Sequence, residues 1–428
     1  MKIGVFADTH VGRSIPREVG ELRRNAYRHA FTQAINIFIE EKVECVIHAG
    51  DLFEKRSMTS EDSVFVKEEL QRLVNSIREE HGREVSIFLI RGNHDGAPDN
   101  NAIDFVKHPL AKYLKVVGEA TIRGEEESYF FNGIRLIGLP YHPYILHVFK
   151  NVKDVIQREF NREGEIKILT IHSFIQSYHE IPPGVPQHNY LTVRDFDELG
   201  ADLVLAGHYH GKVNPMESNK VLFLTPGATE AVDLSDEGPF GVYVLDGRQA
   251  KFIPIKPLHE IRNIKVDSKG SVKPYEWFVE QSVREIDAYY SDLQARGADG
   301  ILRLVLSGST EDDPRNIDVS LRKEVAKRTA STRLLHIDLV NRVEDIKQKA
   351  VFSKLGSGLD YAMEILKPLG GMSGEAMKIV EELSITLDEK ASQRTGLLTD
   401  SDRSRFIKRW IQVLEKTGGC DERLNRNT

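Results

Sequence analysis

Five short apolar runs in this chain each stop at side chains that bind metals. KIGVFA precedes Asp8 and His10, CVIHAG precedes Asp51, SIFLIRG precedes Asn93 and His94, IKILTI precedes His172, and LVLAG precedes His208 and His210. Each run is rich in Val, Ile, Leu or Phe and ends at Gly or a polar residue, so each predicts a buried strand. In open α/β sheets ligands collect beyond the carboxyl ends of the strands, and these side chains fall at that end. The pattern therefore confines the chain to an α/β architecture with a metal site at one end of its sheet.

Between the runs, residues 22–41 and 60–80 carry apolar positions at helical spacing, which gives a βαβαβ opening. After His172 the pattern turns β-rich, with short strands expected at Val221 to Leu224, Gly241 to Leu245 and Lys251 to Ile255. This half reads as a sheet completing a sandwich, so residues 1–257 form a mixed catalytic unit rather than a simple doubly wound fold. Residues 258–343 predict a small α+β domain: strands at 261–266, 301–306 and 334–340, with helices at 274–295 and around 321–327. No catalytic spacing marks this unit, and packing support and substrate handling are both open to it. Residues 344–428 read as a helical, polar segment broken at Gly356 to Gly358 and Gly370 to Gly374. Its last helix sets Phe406, Trp410 and Leu414 on one stripe beside Ile407 and Ile411, ringed by Arg403, Arg405, Lys408 and Arg409. Such a stripe packs onto its own protein or docks another chain.

At 428 residues the chain exceeds what one core usually supports, in keeping with several domains. No stretch reaches the roughly 18 to 20 apolar residues of a membrane span, and the N-terminus enters a strand at once. No membrane attachment and a cytoplasmic protein are expected. The two cysteines, Cys45 and Cys420, are too few and too distant for a disulfide framework and are expected to be reduced thiols. A formal net charge of −7 argues against coating nucleic acid by bulk electrostatics, though not against a local grip at bound cations or a basic stripe.

Two divalent cations held close together need one carboxylate that reaches both, with His, Asp and Asn completing each sphere. Oxygen and imidazole donors without Cys favour Mn²⁺, Fe²⁺ or Zn²⁺ over a closed structural zinc site. Asp51, directly after a strand and a glycine, is the bridging candidate. Asp8 and His10 lie two apart at a strand end, Asn93 offers a neutral oxygen, and His172, His208 and His210 complete the set. Such a pair of ions lowers the pKa of water, clamps phosphate oxygens and stabilises a leaving oxygen, so phosphoester hydrolysis is the reaction these ligands suit. His94, adjacent to Asn93, is placed to protonate the departing oxygen or to hydrogen-bond a ligand carboxylate. His48, inside a strand, is expected to be a hydrogen-bonded core residue. His142, His179 and His188 fall in loops, either solvated or touching substrate. Arg13, Arg17, Arg56 and Arg91 flank the motifs and are candidates for phosphate contact.

Taken together, DTH at 8–10, GDLFE at 50–54, GNHD at 92–95, IHS at 171–173 and GHYH at 207–210 resemble the calcineurin-like metallophosphoesterase superfamily. Within it the chain is most similar to the DNA double-strand-break repair nucleases of archaea and eukaryotes and their bacterial SbcD relatives. That closer likeness rests on DTHVG, on GDLF, on TPGATE at 225–230 followed by an acidic loop and a GVYVLD strand, and on domain order. The resemblance implies a four-layer αββα sandwich with a small α+β capping, DNA-binding domain and a C-terminal helical, partner-binding segment. It implies one metal ion held by Asp8, His10, Asp51 and His210, a second held by Asp51, Asn93, His172 and His208, and His94 as the catalytic histidine. It further implies Mn²⁺-dependent 3′ to 5′ exonuclease action on duplex DNA, endonuclease action on single strands, homodimerisation, and partnership with an SMC-like ABC ATPase. Glu54 stands where many archaeal and eukaryotic members have His and SbcD relatives an acid, and it is expected to accept a hydrogen bond from His94. A phosphodiesterase or phosphatase for small substrates is the alternative enzyme, weakened by the long extension past residue 257. A non-catalytic scaffold using the terminal helix is the reading from another class.

Overall fold

The computed structural model describes residues 1–97, 100–329 and 333–347, together with 382, 404, 406–409, 411 and 412. It opens with β1 (Lys2–Phe6), α1 (Gly20–Glu40), β2 (Cys45–His48), α2 (Ser60–His81) and β3 (Ser86–Leu89), the expected βαβαβ unit. β1 and β2 run parallel with Gly4 opposite Val46, and β2 and β3 run parallel with Val46 opposite Ile87. Leu114–Val116 extends this sheet on one side, while Gly241–Asp246, antiparallel to β1, and Gln249–Pro254 extend it on the other. A second six-stranded sheet has the order Val213–Ser218, Val221–Thr225, Leu203–Gly207, Ile166–His172, Ile134–Leu139, Tyr129–Phe131.

The alternation of side chains along a strand explains the layers. Ile3, Val5, Cys45, Ile47 and Phe88 of the first sheet meet Ile134, Leu136, Ile168, Leu203, Leu205 and Leu224 of the second in one buried cluster. The intervening residues Phe6, Val46, Ile87 and Leu89 face outward and pack with Phe31 and Phe38 of α1 and Val66, Leu70 and Leu73 of α2. On the far side Ile137, Leu139, Leu169, Ile171 and Val204 pack with Phe149, Val152 and Ile156 of the helix Ile145–Phe160. Helices thus cover both outer faces of two stacked sheets, the four-layer αββα sandwich. α2 is capped by Thr59, whose hydroxyl accepts a hydrogen bond from the Asp62 amide, satisfying one of the orphan donors of its first turn.

Further along the chain, Glu260–Val272, Gly300–Thr310 and Leu334–Asp345 form a three-stranded sheet, with helices Tyr275–Arg296 and Arg315–Thr329 between them in sequence. Each expected element of this stretch is present, and most run longer than the apolar pattern alone indicates. By compactness the chain divides into two units. One comprises Met1–Lys265, Ser282–Val305 and Arg322–Val340 and holds both six-stranded sheets; the other comprises Val266–Gln281, Leu306–Leu321 and Asn341–Thr428. Within the second, the Ser307 hydroxyl donates to Asp267 at 2.8 Å.

No helix among the described residues is long and apolar enough to cross a membrane. Cys45 is a free, buried thiol, and Cys420 lies outside the described residues. Of the terminal stripe, Phe406 is helical and buried, and Ile407 and Ile411 are helical and exposed. Trp410, Leu414, Arg403, Arg405 and the glycine breaks at 356–358 and 370–374 lie outside the described residues.

Candidate metal centre

The parallel strands bring all five motifs to one end of the sandwich. Asp8 and His10 follow β1, Asp51 follows β2, and Asn93 and His94 follow β3. The pairing of Gly207 with His172 then sets His208 beside His172 across neighbouring strands of the second sheet. Three groups of ligand atoms result, each within 4.8 Å of one another: Asp8, His10 and His210; His10, Asp51 and His94; and Asp51, His172 and His208. Asn93 joins the last group, its Oδ1 standing 3.1 Å from His172 Nε2. The seven nominated ligands and His94 therefore converge, with Asp51 belonging to groups on both sides.

Local backbone geometry explains how they fit. Asp8, His10, Asp51 and His208 all have positive φ, at 50°, 39°, 56° and 80°. This conformation is unfavourable for residues with a Cβ and persists where the surroundings hold it. Two glycines leave the necessary room: a Cβ on Gly50 would stand 2.3 Å from His172 Nδ1, and one on Gly92 2.0 Å from Asp51 Oδ1. Asp95, unassigned by the sequence reading, is fully buried and binds the Asp51, Phe53 and Gly92 amides at 2.9, 3.0 and 2.8 Å. It clamps the loop after β2 to the loop after β3. Its only signal in the sequence is the last letter of GNHD.

Other hydrogen bonds orient the rings and carboxylates. The His208 amide donates to Asp8, and the His94 amide donates to Asp51 Oδ1 at 2.8 Å. His172 Nδ1 lies 2.8 Å from the Ala49 carbonyl, which leaves Nε2 facing Asp51 Oδ2 at 3.3 Å. His10 is wholly buried, with no hydrogen-bond partner at Nε2 among the described residues and only the Glu54 carboxylate, 3.3 Å away, beside Nδ1, and Asp51 Oδ2 meets only the rings of His172 and His10. Unpaired buried polar atoms are costly unless a ligand completes them. With an all-oxygen and imidazole donor set, these orphans fit divalent cations such as Mn²⁺, Fe²⁺ or Zn²⁺.

The electrostatics are those of acids and imidazoles confined together. Burial pushes the Asp8 carboxyl up to about 6 and the His210 imidazole down to about 3. Burial would also lower His172, but Asp51 outweighs it and holds that imidazole up at about 9. At Asp51 burial acts upward, yet His172 and His10 keep the carboxylate well below its usual range. His208 is lowered by burial and then by the charge of His172.

The centre opens into a cleft of about 820 Å³ lined by Asn93, His94, His208 and His210, by Phe174, Tyr209 and Phe240, and by Glu180, Asp236 and Glu237. None of its described lining residues is Lys or Arg. Two of the four nominated arginines are committed elsewhere: Arg13 pairs with Glu54 and the Val232 carbonyl, and buried Arg91 pairs with Glu119. Their acidic partners are distant in sequence, which is why they looked free. Arg17 and Arg56 are exposed.

Among the other histidines, His48 is the expected core residue, 3.0 Å from the Thr9 hydroxyl. His179 differs from its loop reading: it is buried, accepts from the Ile175 amide, reaches Thr225 and stacks on Tyr209. His142 accepts from the Tyr144 amide, and His188 stacks on exposed Tyr144. Glu54 also differs. His94 Nδ1 bonds the Glu54 backbone carbonyl at 2.8 Å, while the carboxylate stands 4.0 Å away. The side chain turns instead to Arg13 and His10 because those two groups flank it inside the loop.

Residues 1–212 match the family model described as Calcineurin-like phosphoesterase. The chain is 26% identical over 281 residues to the DNA double-strand break repair protein Mre11 of Methanosarcina mazei, an alignment covering 63% of this chain and 40% of that one. To the protein of the same name from Sulfolobus acidocaldarius it is 23% identical over 402 residues, covering 91% and 96%. To the Uncharacterized metallophosphoesterase YhaO of Bacillus subtilis it is 21% identical over 310 residues, covering 72% and 69%. The chain spans about two fifths of the length of the Methanosarcina relatives it matches.

Proposed function

Because residues 1–212 match the calcineurin-like phosphoesterase family, we propose that the protein is a two-metal phosphodiesterase that cuts DNA during double-strand-break repair. The observation that carries the chemistry is the place of Asp51, which belongs to one ligand group with His10 and His94 and to another with His172 and His208. The repair context rests on the likeness to the archaeal relatives named for it.

In this reading Asp8, His10, Asp51 and His210 hold one ion, and Asp51, Asn93, His172 and His208 hold the other, with Mn²⁺ as the metal. When bound, such ions polarise the phosphodiester and lower the pKa of the attacking water. The chain's own groups do the rest. Asn93 contributes a neutral oxygen and so adds no negative charge where the phosphodiester binds. His94 donates its Nδ1 proton to the Glu54 carbonyl, which fixes the ring at the cleft wall. In its imidazolium form the ring carries a second proton on Nε2, and that proton passes to the departing oxygen, leaving the neutral ring with its Nδ1 proton still on the carbonyl. With no Lys or Arg among the described residues lining the cleft, bound cations would supply the attraction for the scissile phosphate, and cleavage is sequence-tolerant.

The finer features belong to the same proposal. The products are those of a 3′ to 5′ exonuclease on duplexes and an endonuclease on single strands. Residues 258–343 contribute DNA contacts, residues 344–428 bind an SMC-like ABC ATPase, and two copies assemble as a homodimer in the cytoplasm. The test is a metal-by-substrate matrix with the full chain: Mn²⁺, Mg²⁺ and Zn²⁺ against duplex DNA, hairpin DNA, cyclic nucleotides and an aryl phosphate. Degradation of duplex DNA from 3′ ends with Mn²⁺ is expected. Rapid turnover of a cyclic nucleotide with DNA left intact would replace this reading with that of a small-substrate phosphodiesterase.

A further inference from the structure

Glu54 has no ligand role in the centre just described, yet its carboxylate is buried against it. Oε1 accepts from Arg13 at 2.8 Å, and Oε2 stands 3.3 Å from Nδ1 of His10. Arg13 is itself anchored, its Nε donating to the Val232 carbonyl at 2.8 Å. The other ring nitrogen of His10, Nε2, faces Asp51 Oδ2 at 3.8 Å. We infer that Glu54 is a positioning residue for the metal centre: through His10 Nδ1 it fixes the ring so that Nε2 is presented to the ion shared with Asp8 and His210.

A carboxylate on one ring nitrogen keeps the proton there and leaves the lone pair of the other for a metal. The Arg13 guanidinium, fixed at Val232, holds the carboxylate in place and offsets its charge. The same residue also bonds His94, but through its backbone carbonyl. Its two duties are therefore separable by mutation. Trimming the side chain removes the support of His10 and leaves the carbonyl that orients His94. The inference rests on the two-metal reading and adds a division of labour within it.

The experiment is a calorimetric Mn²⁺ titration of the full-length chain as wild type, Glu54→Ala and Glu54→Gln, with thermal unfolding of each metal-free protein alongside. Glu54→Ala should weaken one of two ions by roughly 10- to 100-fold, the usual effect of losing such an outer partner, and leave the other ion unchanged. Glu54→Gln, which keeps an oxygen able to accept from Nδ1, should fall between the alanine variant and wild type. A Glu54→Ala protein that takes up both ions as wild type does would overturn the inference, whatever its activity. Should the alanine variant not fold, the glutamine variant decides alone: weakened binding of one ion supports the assignment, and wild-type binding of both overturns it. A wild type that takes up fewer than two ions would overturn the two-metal reading together with this inference, a result distinct from an unaffected variant.

Discussion

The interface between the two sheets and the loop end of the same strands are buried to a similar degree and built on opposite rules. Ile47, Leu136, Ile168 and Leu203 pack apolar surface at regular strand geometry, with no polar group to satisfy. A few residues onward along those strands, Asp8, His10 and His172 are as fully excluded from water, but they are ionisable. Three of the neighbouring candidate ligands, Asp8, Asp51 and His208, sit in left-handed backbone besides His10, and several polar atoms have no hydrogen-bond partner among the described residues. Burial alone therefore does not mark the functional region. Burial combined with strain and unpaired donors does, and the regular strands are what hold that unfavourable arrangement in place.

The contrast is sharpened by perturbing each region separately. At the loop end, His94→Gln should lower kcat by roughly 10²- to 10⁴-fold, the range for loss of a general acid, with Mn²⁺ stoichiometry and thermal stability unchanged. Activity close to wild type in a DNA cleavage assay would remove His94 from the proton transfer. Leu203→Ala, in the sheet interface and away from the ligands, should destabilise the protein by about 2–5 kcal/mol in urea unfolding. The folded fraction should still bind metal normally. If Leu203→Ala instead displaced a metal ion while hardly changing stability, the two regions would not be separable as described.

Much of this was legible in the sequence because strand ends are local features. The apolar runs, their order and the residues that follow them pointed to the candidate ligands that the structure brings together, and the helix expected over 60–80 is found at Ser60–His81. What depends on loops meeting in space was not legible. Nothing local tells that Asp95 gathers three amides, or that Glu54 turns its carboxylate to His10 and its carbonyl to His94. Arg13 and Arg91 flank the motifs as free cations would, and only the fold reveals Glu54 and Glu119 beside them. His179 likewise reads as a loop residue until Tyr209 and Thr225 enclose it.

Anomalous diffraction from crystals soaked in Mn²⁺ tests the central claim most directly. The account predicts two peaks flanking Asp51, one among Asp8, His10 and His210 and the other among Asn93, His172 and His208. A single peak, or manganese bound away from Asp51, would contradict it.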